Sequence, residues 1–169
     1  NVVLISLPRD LWVKGPSGYS EKINAMYSYG GASEMQRSVE EVLGIPIHYY
    51  VVVNFDMFTY VVNSLGGVEI NVEKAFTDYS YPIEGKESAP EDQRYEVLSF
   101  KAGKQTMNGA TALKYVRSRK GNNGEDTDFA RSRRQQLLIM GLKDKILDPQ
   151  TILDINKLTA LYKSYADNV

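Results

Sequence analysis

The chain has no cysteine and one histidine. Without thiols there is no disulfide framework and no thiolate metal site, although that absence does not fix the compartment. With no second histidine near it, His48 reads as structural rather than catalytic or metal-binding. No apolar run approaches the ~20 residues a membrane span needs. An excess of charge of either sign is also missing: twenty Lys and Arg face twenty-one Asp and Glu, for a net charge of −1. That balance argues against general nucleic-acid affinity. There is no initiator Met either. The chain opens at Asn1, and Val2 to Leu7 already looks like a strand, so a fragment trimmed at its N-terminus is expected, with any anchor or signal lying upstream.

What is present is enough for one ordinary domain. The 169 residues can bury a real core, and 43% hydrophobic with 24% charged content sits near globular averages. Against the neutral background one stretch stands out. Six of the twenty Lys and Arg fall between Arg117 and Arg134. Arg117 and Arg119 are two apart, so on extended backbone they point the same way. Arg131, Arg134 and Gln135 share one face if they lie on a helix. Like charges repel and exposed ion pairs contribute only ~0–1 kcal/mol. Such a cluster therefore suggests a polyanion site, since guanidinium forks match phosphate and a helix start adds its own positive end. The bland alternative is a solvated basic loop with Asp126 and Asp128 as internal salt partners.

In chain order, Val2 to Leu7 suits a buried strand closed by Pro8, with Arg9 and Asp10 at its carboxyl end, where open α/β sheets place their sites. A strand-end salt bridge is the plain alternative there. Ala25 to Gly31 suits a short helix with a glycine stop. Ser33 to Leu43 is the clearest helix, with Ser33 and Gln36 as a capping box and Gly44 as its end. Ile47 to Asn54 reads as a central strand. Phe55 to Leu65 has helical spacing, and Val68 to Val72 alternates as a strand with one wet face. Residues 75 to 100, within an excursion running to 107, read as a long surface loop rich in Tyr, Pro, Gly and acids. Asn108 caps a short helix that delivers Arg117 and Arg119. Asp126 to Ile146 is the longest helix, docked by Leu137, Leu138, Met140 and Leu142. Asp148-Pro149 opens a last helical pair reaching Tyr162. Alternating strands and helices predict an α/β chain, three-layer α/β/α with a mixed central sheet flanked by helices, as a single domain over residues 1–169.

Six spaced motifs, in order from about residue 4 to 146, resemble the LytR-CpsA-Psr (LCP) family. They are Leu7-Pro-Arg-Asp10, Lys22-Ile-Asn24-Ala-Met-Tyr27-Ser-Tyr-Gly-Gly31, Asn54-Phe55, Leu65-Gly-Gly-Val68, Asn108-Gly with Ala112-Leu and Tyr-Val-Arg-Ser-Arg119, and Asp128-Phe-Ala-Arg131 followed by Arg134-Gln-Gln136. The resemblance implies a transferase on the extracytoplasmic face of a bacterial cytoplasmic membrane. It would move a phosphoglycopolymer, of teichoic-acid or capsular type, from a polyprenyl-pyrophosphate carrier to peptidoglycan. Mg²⁺ would sit on the pyrophosphate, pyrophosphatase activity is a side reaction, and a single N-terminal helix would anchor the parent chain. A mixed sheet between helices and a greasy lipid tunnel are implied with it.

Residue by residue, the resemblance puts Arg9, Arg117, Arg119, Arg131 and Arg134 around the pyrophosphate and Asp10 on the metal. Asp128 would orient arginines, Gln135 and Gln136 would contact the head group or fix the helix start, and Lys22 would be a further phosphate contact. Two departures stand out. The family's additional Asp, in the strand before Leu7-Pro-Arg-Asp10, precedes the first residue here. The glycine of its Asp-Phe-Gly-Arg motif is Ala130.

The apolar residues available to line a tunnel (Val51, Val53, Phe58, Val62, Leu138, Met140) serve equally well as core. A monomer is expected. The competing readings are a non-catalytic polyprenyl-phosphate or wall-polymer binding domain, and a nucleic-acid binder, which the neutral charge disfavours. No general base is assigned, Asp10 being the least poor candidate.

Overall fold

In a computed structural model, residues 3–154 apart from Ser17, together with Thr159, are described. The chain divides into two compact units, Asn1–Val53 and Asn54–Val169.

In the first unit, β1 (Trp12–Lys14) and β2 (Ser20–Lys22) form an antiparallel hairpin. It runs into α1 (Ile23–Leu43), which breaks at Gly30 and Gly31. Gly31 has φ 64° and ψ −152°, a conformation only glycine adopts without strain, so the expected glycine stop is an internal kink. Gly44 closes the helix in the left-handed region, donating to the Glu40 carbonyl at 2.8 Å. Val13, Ile23 and Met26 form the small core, with Leu7, Leu11, Met35 and Val39 packed on it.

Two expected strands do not form. Residues 3–7 and 47–54 have no ladder among the described residues. At Ile47 the reason is visible. Its N–H goes to the Glu40 carboxylate (2.8 Å) and its carbonyl accepts from the Gln36 amide (2.7 Å). Side chains of α1 thus take the backbone groups a neighbouring strand would use, and β-branched content alone forms no ladder. Gln36 is spent on Ile47 rather than on a capping box with Ser33.

In the second unit, Asn54 caps α2 (Phe55–Ser64), its side chain accepting from Met57 N–H at 2.7 Å. Then come β3 (Val68–Val72), β4 (Phe76–Pro82), β5 (Tyr95–Phe100) and β6 (Gly103–Met107). They pair antiparallel as β3 with β6 and β4 with β5. β3 buries Val68, Ile70 and Val72 and leaves Glu69 and Asn71 wet, as its alternation requires. Residues 75 to 100, expected as a loop, are instead the β4–β5 hairpin, with a 3-10 turn at Glu91–Gln93, and β6 follows within the rest of the expected excursion to 107. A register shift between Asp78 and Tyr81 flips the inward set partway along β4, which hides its period of two. Phe76 and Phe100 (centroids 5.1 Å apart) meet Tyr115 in the middle of the core.

Asn108 caps α3 (Gly109–Arg117), its side chain accepting from Thr111 N–H. α4 (Asp128–Leu147) buries Leu138 and half-buries Leu137 and Leu142, whereas Met140 lies exposed. Val62 is fully buried and Phe58 packs on the same core, while Val51 is 79% exposed and Val53 about half. α5 (Pro149–Ile152) follows Asp148, whose side chain accepts from Gln150 N–H. The expected continuation to Tyr162 lies outside the described residues.

Two glycines permit close crossings. A Cβ at Gly141 would come 2.6 Å from the Glu69 carbonyl, and one at Gly109 would come 2.3 Å from the Thr59 carbonyl. A Gly109→Ala variant should accordingly lose about 1–3 kcal/mol through overpacking, read from the urea midpoint. An unchanged midpoint would mean that α2 and α3 separate freely.

Candidate functional site

The basic stretch folds at the junction of α3, the segment 118–127 and the first turns of α4. Arg117 and Arg119 are exposed and Ser118 between them is fully buried, although Arg117 ends a helix rather than standing on extended backbone. Arg117, the last residue of α3, lays its guanidinium 4.0 Å from the centre of the Phe55 ring. Its nearest carboxylate, Glu84, stands 4.0 Å away. Arg119 has no ion-pair partner among the described residues. α4 starts on Thr127, whose hydroxyl accepts from Ala130 N–H (3.1 Å), so Ala130 occupies an ordinary helical position. Arg131 pairs with Asp128 at 2.8 Å, one turn along α4. The carboxylate is 75% exposed, whereas the Arg131 side chain is only 20% exposed. Gln135 is exposed and Gln136 half-buried.

Arg134 is placed differently from its neighbours. It is only 2% exposed. Nε donates to the Tyr115 carbonyl (3.0 Å), Nη2 to the Ser118 carbonyl (2.6 Å), and Nη1 to the carbonyl and carboxylate of Glu125 (3.0 and 2.5 Å). Four of its five N–H donors therefore end on protein oxygens, and its face lies 4.9 Å from the Phe76 centroid. In this arrangement Arg134 braces the junction from inside and does not present itself to a ligand. Arg133 points outward and pairs with Glu73.

The salt-partner reading, with Asp126 and Asp128 as partners, holds for Arg131 with Asp128. Arg133 and Arg134 pair instead with Glu73 and Glu125. Arg117 is loosely held, and Arg119 has no ion pair among the described residues. Arg131 and Arg134 are one turn apart on the same face, roughly 5 Å along α4. Arg134 in turn touches Ser118, which lies between Arg117 and Arg119. The exposed Arg117 and Arg119 and the partly buried Arg131 thus surround one buried brace.

Sequence reasoning missed Asp78. This residue of β4 is 1% exposed, and its carboxylate accepts from the Ser118 hydroxyl (2.7 Å), Lys120 N–H (3.2 Å) and Ser80 N–H (2.9 Å). Burial pushes its pKa up, but hydrogen bonds from the Ser118 hydroxyl and from backbone N–H groups outweigh that and hold it below the usual carboxylate value. Inward spacing with Phe76 is the signal that could have found it. Burial also pushes the Tyr115 phenol up to about 12, so it stays protonated at neutral pH.

Because the folded-state pKa of Asp78 is depressed, the stability it contributes is complete above its unfolded value, about 3.9, and is lost as pH falls through the folded value. The stability gap between the parent and Asp78→Asn should therefore be constant above about pH 5 and narrow below about pH 4 in urea titrations. A gap that widened on acidification would contradict this assignment.

In the first unit, Asp10 and Lys22 pair at 3.1 Å with both side chains half or more exposed, and Arg9 is exposed. His48 is exposed as well. No group of three or more His, Cys, Asp or Glu among the described residues is arranged to hold a metal by itself.

With this geometry in place, the class is clear: the chain belongs to the LytR_cpsA_psr family, whose model matches residues 1–169. Its α/β fold is that of solved family members. One relative is the polyisoprenyl-teichoic acid–peptidoglycan teichoic acid transferase TagV of Bacillus subtilis (strain 168), 36% identical over 158 residues, covering 92% of this chain and 37% of TagV. The crystal structure of B. subtilis TagU matches with a TM-score of 0.69 at 32% identity, over 96% of this chain and 61% of that one. TagT (YwtF) with bound octaprenyl pyrophosphate lipid matches with a TM-score of 0.58 at 26% identity, over 94% of this chain and 58% of that one. The chain thus spans less than half the length of TagV and about three-fifths of these solved chains.

Proposed function

We propose that this chain transfers a phosphoglycopolymer of teichoic-acid or capsular type from a polyprenyl-pyrophosphate carrier to peptidoglycan. The observation that carries the reading is the exposed Arg119, without an ion pair among the described residues, on a segment tied down at its neighbour Ser118 by Asp78 and Arg134. The names of the relatives and the lipid in TagT support the substrate class.

Phosphoryl transfer depends on positioning and charge stabilisation more than on covalent chemistry by the protein. A peptidoglycan hydroxyl oxygen attacks the phosphorus bonded to the polymer. The bond from that phosphorus to the bridging oxygen breaks, and polyprenyl phosphate leaves. The hydroxyl proton passes to a base, for which Asp10 is the candidate. Arg117, Arg119 and Arg131 stabilise the charge that moves onto the leaving phosphate. Asp128 orients Arg131 through their pair. Arg9, Lys22, Gln135 and Gln136 are proposed as further contacts to the phosphates or head group. Water in place of the acceptor hydroxyl gives the pyrophosphatase side reaction.

Mg²⁺ dependence belongs to the same proposal. The ion takes one or two carboxylates and fills its remaining positions with phosphate oxygens and water. Asp10 fits that minimum, its carboxylate being well exposed and ion-paired with Lys22 at 3.1 Å. When bound, the ion supplies charge neutralisation on the diphosphate. We place the reaction on the extracytoplasmic face of the membrane, with the acting molecule a monomer. Among the described residues no helix is long and apolar enough to cross a membrane.

The test is incubation with polyprenyl-pyrophosphate-linked teichoic acid and peptidoglycan, with Mg²⁺ and with chelator. Polymer covalently attached to peptidoglycan, together with free polyprenyl phosphate and loss of both in chelator, is the expected result. Tight binding of the lipid-linked polymer without transfer would replace the transferase with a binding domain.

A further inference from the structure

We propose that Asp78 and Ser118 are positioning residues for Arg119, the buried carboxylate fixing the backbone on either side of that guanidinium. The proposal rests on the transferase reading. Asp78 Oδ2 accepts from the residue before Arg119, through the Ser118 hydroxyl at 2.7 Å, and from the residue after it, through Lys120 N–H at 3.2 Å. Asp78 also makes an isolated bridge with Gly121, and the next residue continues the attachment. Asn122 N–H donates to the Thr77 carbonyl (3.0 Å) and its side-chain oxygen accepts from Thr77 N–H (2.8 Å). The segment is thereby laid along β4.

Ser118 is held from the opposite side as well. Its carbonyl accepts from Arg134 Nη2, and its N–H reaches the Lys114 carbonyl at 3.0 Å. Every polar group of Ser118 is therefore committed, and the exposed Arg119 is left with freedom only in its own side chain.

A rigid segment under an exposed guanidinium matters for chemistry more than for stability. Preorganised charge works because it needs no reorganisation as the reaction proceeds. A small misplacement of such a group is costly, about 100-fold for 1 Å in sensitive cases. A carboxylate also suits the pin, since it only accepts and both of its Oδ2 partners are donors. Asn in its place keeps the shape but puts an NH₂ against N–H or O–H at one of the two oxygens.

A double-mutant cycle tests this in the same transfer assay, using the parent, Asp78→Asn, Arg119→Ala and the double variant. Amide hydrogen exchange at Lys120 is followed in parallel. The expected result is a fall in kcat of about tenfold or more for Asp78→Asn with KM nearly unchanged, and faster exchange at Lys120. In the Arg119→Ala background the same change should cost less than about twofold, because it acts through the group already removed. Ser118→Ala, which deletes one hydroxyl, takes the place of Asp78→Asn in the cycle if that variant does not fold. Equal losses with and without Arg119, or variants that transfer at the parent rate, would overturn the positioning role while leaving the transferase reading intact. A parent protein that transfers nothing would overturn both.

Discussion

Replacing Arg134 with methionine should cost about 3–5 kcal/mol of unfolding free energy, the largest stability loss expected in the basic stretch. Arg134 is 2% exposed, and four of its donors are engaged. Methionine fills much of the volume but removes the cation paired with the Glu125 carboxylate and the donors Arg134 gives to the carbonyls of Tyr115 and Ser118. A buried polar group left without a partner costs about 1–3 kcal/mol. A lysine would keep the charge but not the planar fork that reaches three residues at once, so Arg134→Lys should recover only part of the loss. Arg133 provides the control. It pairs with Glu73 from an exposed position, and Arg133→Met should cost no more than about 1 kcal/mol. Urea unfolding at neutral pH measures all three variants, and equal losses for Arg133 and Arg134 would refute the division between brace and surface.

Arg119→Ala should do the reverse. Stability should stay within about 0.5 kcal/mol, because the side chain is exposed and makes no ion pair among the described residues. Transfer should fall about 100- to 1,000-fold, the size of effect seen when one preorganised donor to developing charge is deleted. Ground-state binding of the lipid-linked polymer should fall much less, since the other arginines still attract the diphosphate. A loss confined to KM would mean that Arg119 merely gathers substrate. Transfer at an undiminished rate would remove it from the reaction. Arg134 and Arg119 lie fifteen residues apart in one motif-bearing stretch, yet the first is expected to fail by unfolding and the second by chemistry.

Local signals made much of this legible in the sequence. The cap at Asn108, the stop at Gly44 and the alternation of Val68 to Val72 each follow from one residue type in one place, whereas Asn54 reads in the sequence as the end of a strand and instead caps α2. Arg117 and Arg119 are both exposed, but not through the extended backbone their spacing suggested, since Arg117 ends a helix. What failed depended on distant partners. Val51 to Val53 have strand-forming side chains, but Gln36 and Glu40 occupy the backbone at Ile47 just before them. The β4–β5 hairpin was hidden by a register shift and by turn-forming residues that sit within the strands. Arg134 looked like its neighbours because composition does not show which guanidinium faces inward. Its burial follows from α4 packing against the end of α3, where the Tyr115 and Ser118 carbonyls accept from its guanidinium. Asp78 was missed for the same reason: a carboxylate in a Tyr-rich stretch reads as surface until the segment it holds is folded against it.

The division between outward and inward arginines can be observed directly in the Nε–Hε resonances of the folded protein, titrated with a short water-soluble prenyl diphosphate. The resonances of Arg117, Arg119 and Arg131 should move and saturate together, while that of Arg134, hydrogen-bonded to the Tyr115 carbonyl, stays in place. A shift at Arg134 with Arg119 unmoved would contradict the account.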